Sequence, residues 1–264
     1  AFNPAITIVL NGSASSHSVD PELYERSGFP LIGEGRPSAR GLSLGESEIS
    51  FAANVDDKFY GQLTLAVGSE GNETELGIEE AFIDATALPG GVALRAGRFF
   101  SNIGYLNSRH AHTDKFFDRP LPYQAFLGNQ YGDDGVQLRW VAPTDTFIEL
   151  GGEVLRGDRF AGGEGRHGAG TGTLFAHFGG DVCDESAWLA GVSMRRERSE
   201  DGEDGVSGDI SLYIADRTWK WAPEGNFKEG GLSLRTEYFH EDRDGDYFNV
   251  DDPSLDQPWN GSRS

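Results

Sequence analysis

The sequence predicts an all-β chain: an antiparallel, up-and-down sheet wound as a transmembrane β-barrel. Three observations lead there. Apolar and polar residues alternate with period two along most of the 264 residues, and no helical stripe runs convincingly beyond two turns. The connections between alternating segments are tight and long by turns. Mean hydropathy is −0.45 and no run of about 18 apolar residues occurs, which a barrel tolerates because only alternate side chains meet lipid.

Composition narrows the function classes. With Lys+Arg 22 against Asp+Glu 43 the net charge is −21, so a nucleic-acid partner is excluded by repulsion from its phosphates. Cys183 is the single cysteine, which rules out an internal disulfide and a cysteine-based zinc cluster. The opening "AFNPAITIVLNG" has neither a basic n-region nor a long apolar h-region; an export signal has been removed or was never there. Alternation runs from end to end, so residues 1–264 read as a single domain.

Strand by strand, segments 5–13 and 44–55 come first and are irregular. The clearest is "FYGQLTLAV" (59–67), with Leu63 and Leu65 on one face and Gln62 and Thr64 on the other. Segments 75–87 and 92–99 come next. "GVQLRWV" (135–141) sets Leu138 and Trp140 against Gln137 and Arg139, and "FIELGGEVL" (147–155) sets Ile148 and Leu150 against Glu149 and Glu153. After 172–181 and 187–196, "DISLYIADR" (209–217) opposes Ile210 and Leu212 to Ser211 and Tyr213, and "GLSLRTEYF" (231–239) closes the series. The eight apolar residues Leu63, Leu65, Leu138, Trp140, Ile148, Leu150, Ile210 and Leu212 are expected to point outward. The count is eleven strands, several long enough for a tilted bilayer crossing.

Tight connections fall at 56–58, 88–91, 142–145, 182–186 and 222–226, and longer polar ones at 14–43, 68–74, 100–131, 157–171 and 197–208. Short periplasmic turns and long extracellular loops give a barrel this parity, with the N-terminus on the periplasmic side. Eleven is odd, whereas single-chain bacterial barrels have even strand numbers and no free edge. Residues 240–264, ending in "DDPSLDQPWNGSRS", read as a polar loop or tail, so the barrel is expected to be incomplete at its C-terminus.

Three segments carry a family resemblance: "LRAGRFFSNIGYLN", "FFDRPLPYQAFLG" and "YGDDGVQLRW". A strand ending in Gly97-Arg98-Phe99, then a long loop, then a strand opening on Gly135-Val136-Gln137-Leu138, resembles outer-membrane porins of the phosphate-selective type. The opening "NPAITIVLNG" is similar to the first strand of such mature porins, and the likeness is concentrated over residues 75–155. It implies a trimeric sixteen-stranded barrel, of which this chain would carry about 11–12 strands, in the outer membrane of a Gram-negative bacterium. It also implies a diffusion channel whose long loop, here 100–131, folds inward as a constriction. The basic ladders of the family's anion site have no residue-by-residue match here.

Within 98–130, Arg98, Arg109, Lys115 and Arg119 face Asp114 and Asp118, four positive against two negative, a net +2 in an acidic chain. They are candidates for a locally basic eyelet opposite the lumen-facing Glu149 and Glu153; the plainer reading is a loop braced by Arg–Asp pairs. His110, His112 and Asp114 are candidate ligands for a zinc-like ion if the segment is extended, against a simple loop-packing role. Asp242, Asp244 and Asp246 are spaced like a calcium loop, but Gly245 falls at position four instead of six, and solvated extracellular acid is the plainer reading. The acids of "SEDGED" (199–204) are further candidates for loose divalent binding.

No nucleophile elbow, H-E-x-x-H or phosphate loop occurs, so neither an enzyme nor a cofactor is expected. A passive channel for small hydrophilic solutes or ions, ringed by outer-membrane lipid, is the leading function. The alternatives are a membrane-embedded barrel enzyme, a metal-ion-related uptake protein, and a soluble secreted β-sandwich binding module.

Overall fold

Residues 4–21, 40–45, 47–70, 73–159, 168–199, 206–247 and 257–264 are described in the computed structural model of the chain. The alternating segments become strands β1 (Ala5–Val9), β2 (Gly12–Ser15), β3 (Gly41–Leu44), β4 (Ser47–Asn54), β5 (Phe59–Glu70), β6 (Glu73–Ala85) and β7 (Val92–Phe100). The second half supplies β8 (Gly132–Val141), β9 (Phe147–Leu155), β10 (Thr171–Cys183), β11 (Ser186–Ser199), β12 (Val206–Trp221), β13 (Leu232–Tyr247) and β14 (Gln257–Arg263). Twelve of them form one antiparallel meander in the order β1-β4-β5-β6-β7-β8-β9-β10-β11-β12-β13-β14, while β2 and β3 pair as a separate ribbon. The fold is therefore all-β and up-and-down. Among the described residues, β1 and β14 stand at the two ends of the strand order.

Two expectations about the C-terminal part are corrected. Residues 240–247 are not tail but the upper half of β13, and a twelfth strand, β14, pairs with them from Glu241↔Arg263 to Tyr247↔Gln257. Their acidity hides them from a hydrophobic pattern, yet β12 is equally long and offers backbone partners along the whole length, Trp221↔Leu232 to Val206↔Tyr247. Asp242, Asp244 and Asp246 accordingly sit on the exposed face of an extended strand and cannot wrap an ion as a loop would.

Connection lengths correct a third expectation. Residues 55–58, 86–91, 142–146, 184–185 and 222–231 link strands at one end of the sheet. At the other end the spans 101–131 and 156–170 are long, but β5 and β6 extend until residues 71–72 alone separate them, where a longer loop over 68–74 is expected. The acids at 200–204, residues 22–39 of the first long loop and residues 248–252 of the calcium-like stretch lie outside the described residues.

The two faces of the sheet differ sharply. Leu138, Leu150, Val154, Leu174, Val192 and Leu234 are exposed on one; Thr64, Glu80, Asp84, Gln137, Glu149, Glu153 and Arg195 are buried on the other. Of the eight residues expected outward, Leu138, Trp140 and Leu150 are exposed and Leu63, Leu65 and Ile148 are half-buried. Ile210 and Leu212 contradict the expectation, being buried at 2% and 0% exposure. Alternation defines two faces but not which is inner. On β12 the inner face is the apolar one, because Leu212 and Ile214, with Phe239 of β13, pack against Phe99, Ile103, Leu106, Tyr123, Phe126 and Leu127.

The core thus lies between one sheet and segment 101–131. That segment contains α1 (Leu121–Leu127), preceded by Pro120 and closed by Gly128 in the left-handed conformation at φ 56°. It contacts Glu48 on β4 and Glu237 on β13, near opposite ends of the strand order, so the sheet curls around it. The apolar richness of residues 99–127 predicts that Phe116 and Phe117 are buried with the rest of the segment; they are instead 82% and 65% exposed.

Where β7 pairs with β6, Gly97 has φ 128°, and a Cβ there would overlap the carbonyl oxygen of Ala81. Gly97→Ala is therefore expected to lower the unfolding free energy by more than about 1 kcal/mol, read from denaturant melts of the detergent-folded protein.

Candidate functional site

The concave face begins at the end of β7, where the chain leaves the ladder at Ser101. Glu153 captures it. One carboxylate oxygen accepts from the Ser101 hydroxyl and from Thr173 Oγ1 at 2.5 Å; the other accepts from the Asn102 amide at 2.9 Å and Gln137 Nε2 at 2.8 Å. Glu149, two inward positions down β9, accepts from Asn102 Nδ2 at 3.2 Å and His177 Nδ1 at 2.9 Å. A carboxylate buried against an apolar core costs several kcal/mol unless its lone pairs are filled, and these donors fill them.

Farther along, the amide of Gly104 donates to Ser193 Oγ at 3.2 Å, and Tyr123 Oη donates to Glu237 at 2.6 Å while accepting from the Leu106 amide at 2.8 Å. Burial, reinforced by the Glu237 charge, holds the Tyr123 phenol well above its usual pKa, so it remains a donor. Asn107 closes the base of the segment by bonding Ser101 O, Tyr131 O and the Tyr131 amide at 2.7–2.8 Å.

The six residues proposed from sequence for an eyelet do not form one cluster. Arg98 falls on the face opposite Arg95 and Phe99 and makes a bidentate pair with Asp134 at 2.7 and 3.0 Å, so it does not reach the concave side. Arg119 is buried, donating to Asp114 at 3.0 Å and to the carbonyls of Asn129 and Arg109; it braces the segment. Glu149 and Glu153 are held by neutral donors and His177, with Arg139 4.0 Å from Glu149. Arg109 and Lys115 are exposed and, among the described residues, lie beyond ion-pair distance of any carboxylate.

Arg235 and Lys220 were not singled out by sequence. The guanidinium groups of Arg109 and Arg235 sit 4.5 and 4.0 Å from the centre of the Tyr105 ring. Burial alone raises the Tyr105 phenol, but the charges of Arg109, Lys220 and Arg235 outweigh it and leave the phenol below its usual pKa. By contrast Arg95 is spent on Asp84 at 2.7 Å, Arg195 on Glu197 at 3.4 Å and Arg243 on Glu241 at 2.7 Å. Free positive charge on the inner side therefore concentrates around Tyr105, contributed by residues 109, 220 and 235 from three distant parts of the chain.

The metal-ligand expectation is half corrected. His110 and His112 do converge, but Asp114 is turned away to Arg119, and Glu48 of β4 takes its place. His112 Nδ1 donates to Glu48 at 2.6 Å and His110 Nε2 to Glu80 at 3.0 Å; His110 Nδ1 lies 3.1 Å from Glu48 and 3.3 Å from Glu79. Burial alone would lower the His110 pKa, but the close carboxylates of Glu48, Glu79 and Glu80 push it up to about 12. Raised above its unfolded value, this imidazolium stabilises the fold at neutral pH and loses that effect only as pH climbs toward the folded value.

No family model matches the chain. A protein of Aquifex aeolicus (strain VF5), described as uncharacterized, is 34% identical over 167 residues, covering 60% of this chain and 34% of that protein. The chain thus spans about a third of the length of this curated relative. Among solved structures, the outer membrane channel DcaP of Acinetobacter baumannii aligns with 99% of this chain and 93% of its own at 10% identity and a TM-score of 0.36. OmpT, an outer membrane protein of Vibrio cholerae, aligns with 99% and 92% at 10% identity and a TM-score of 0.24. Likeness this distant fixes no function.

Replacing Glu153 by Ala strands Asn102 N, Gln137 and two hydroxyls, so Glu153→Ala is expected to cost on the order of 3 kcal/mol. Trypsin should then cut after Lys115 faster than in the parent, as the anchored segment loosens; unchanged cleavage would show that the anchor lies elsewhere.

Proposed function

We propose that the chain is a passive diffusion channel of the outer membrane for small hydrophilic solutes or ions. One observation carries the reading: the inverted polarity of the curled sheet. An isolated soluble sheet buries its apolar face and wets its polar one. Here Leu138, Leu150, Val154, Leu174 and Val192 are exposed on the convex side, while acids and arginines crowd the concave side. Lipid outside and water inside satisfy both faces. Among the described residues no helix is long and apolar enough to cross a membrane, so a crossing would be made by strands.

The channel is favoured over a barrel enzyme by the state of the inner polar groups. Glu149 and Glu153 are saturated with hydrogen bonds, and among the described residues no serine hydroxyl bonds a histidine. Segment 101–131 serves as the constriction, fixed by Glu153, Glu237 and the His110 carboxylates. Its selectivity is set by Arg109, with Lys115, Arg235 and Lys220, since a pore reads local field more than net charge. Small anions are the favoured permeants, in keeping with the sequence resemblance to phosphate-selective porins; lipid contact and a homotrimer belong to the same reading.

Reversal potentials across a planar bilayer in a salt gradient test it. Arg109→Ala combined with Arg235→Ala is expected to lower anion relative to cation permeability without abolishing conductance. Absence of conductance in the parent protein would defeat the channel itself, and an unchanged reversal potential would remove the eyelet.

A further inference from the structure

We propose that Glu48, His110 and His112 bind a divalent transition-metal ion of the zinc class, with Glu79 completing the shell. Each of the first three offers one ligand atom, and these atoms lie within 4.8 Å of one another. The two separations at His110 are those of a coordination shell, while His112 Nδ1 hydrogen-bonds Glu48 at 2.6 Å and would exchange that bond for the ion. Ligands 2.0–2.1 Å from a tetrahedral zinc are about 3.3 Å apart, and His110 Nδ1 stands 3.1 Å from Glu48 and 3.3 Å from Glu79.

These two contacts are not hydrogen bonds. His110 Nδ1 and Glu79 Oε2 are both buried without a hydrogen-bond partner, although they face each other. The Glu79 side chain is only 8% exposed, and a carboxylate oxygen this deep does not stay unpartnered without reason. An ion between the two atoms removes both deficits at once.

Charge points the same way. Glu48, Glu79 and Glu80 converge, and among the described residues their ion-pair partners are the two imidazoles. A divalent ion balances three carboxylates better than one imidazolium does. Local geometry explains the convergence: the register between β5 and β6 shifts at Thr64/Leu65, leaving Glu79 as the extra residue, and this bulge brings Glu79 and Glu80 to the same imidazole. Two imidazole nitrogens select zinc, nickel, cobalt or copper over calcium and magnesium, which prefer oxygen alone. The metal would tie segment 101–131 to β4 and β6, opposite its anchors on β9 and β13. Such a site needs no conduction through the barrel to exist.

The test is calorimetric titration of zinc chloride into the full chain, folded in detergent and stripped of metal, with visible absorption of Co2+ as a probe of tetrahedral geometry. One zinc per chain, a tetrahedral cobalt spectrum and slower tryptic cleavage after Lys115 on adding zinc are expected. His110→Ala and His112→Ala should each weaken zinc binding by more than about 100-fold, whereas Asp114→Asn should leave it unchanged. Because His110→Ala also removes a packing group, the more exposed His112→Ala, checked for native circular dichroism, is the deciding variant. No zinc binding, binding undiminished in folded His112→Ala, or displacement of zinc by equimolar Ca2+ would each overturn the proposal.

Discussion

The buried carboxylate of Glu153 takes hold of the chain at the point where it leaves β7. Four donors converge on it, from Ser101, Asn102, Gln137 and Thr173, belonging to β8, β10 and the start of the inner segment. Removing any acceptor of this kind exposes several donors to an apolar interior, so the path of residues 101–107 is fixed within narrow limits. Packing does the rest. Once Ile103, Leu106 and Tyr123 are directed against Leu212, Ile214 and Phe239, the sheet curls around them instead of lying flat.

That arrangement explains an otherwise puzzling mixture on the concave face. Polar groups predominate on β4 to β11, with Phe82, Phe99, Leu155 and Phe175 buried among them, and β12 turns Ile210, Leu212 and Ile214 inward where the segment docks. The charged residues left over divide into two kinds. Arg95, Arg119, Arg195 and Arg243 are consumed in pairs that hold strands and segment together, while Arg109, Arg235 and Lys220 surround a tyrosine ring and, among the described residues, lie beyond ion-pair distance of any carboxylate. Under the proposed function this braced scaffold would fix where the field of these cations acts.

Much of the fold was legible in the sequence because period two is a direct imprint of a half-covered strand. All eleven expected segments are strands, and the five links expected to be tight fall at one end of the sheet, although the last runs from 222 to 231. The features that escaped did so for physical reasons. The upper part of β13 is acidic and β14 (QPWNGSR) is short and polar, so both make their case through backbone pairing, with no alternating apolar face to announce them. α1 is seven residues long, too short for a periodic signal, and only Pro120 and Gly128 mark its ends. The inward turn of Ile210 and Leu212 depends on a partner about a hundred residues earlier in the chain. Residues at the site were harder still: His110 and His112 were visible as a pair, but Glu48 is 64 positions from His112, and no local spacing could exchange it for Asp114. Arg98 was misplaced by one residue of alternation, which is enough to change faces.

In the proposed channel, everything from the inner segment to the cations around Tyr105 depends on the exposed apolar face being the one that meets lipid. Spin labels on single cysteines along β10, in a Cys183→Ser background reconstituted in lipid vesicles, read this directly. Labels replacing Leu174, Ala176 and Phe178 should collide freely with oxygen dissolved in the bilayer, and labels replacing Thr173, Phe175 and His177 should not. Period-two accessibility to oxygen in that phase is the predicted result; uniform accessibility to a water-soluble nickel chelate, or the opposite phase, would contradict it.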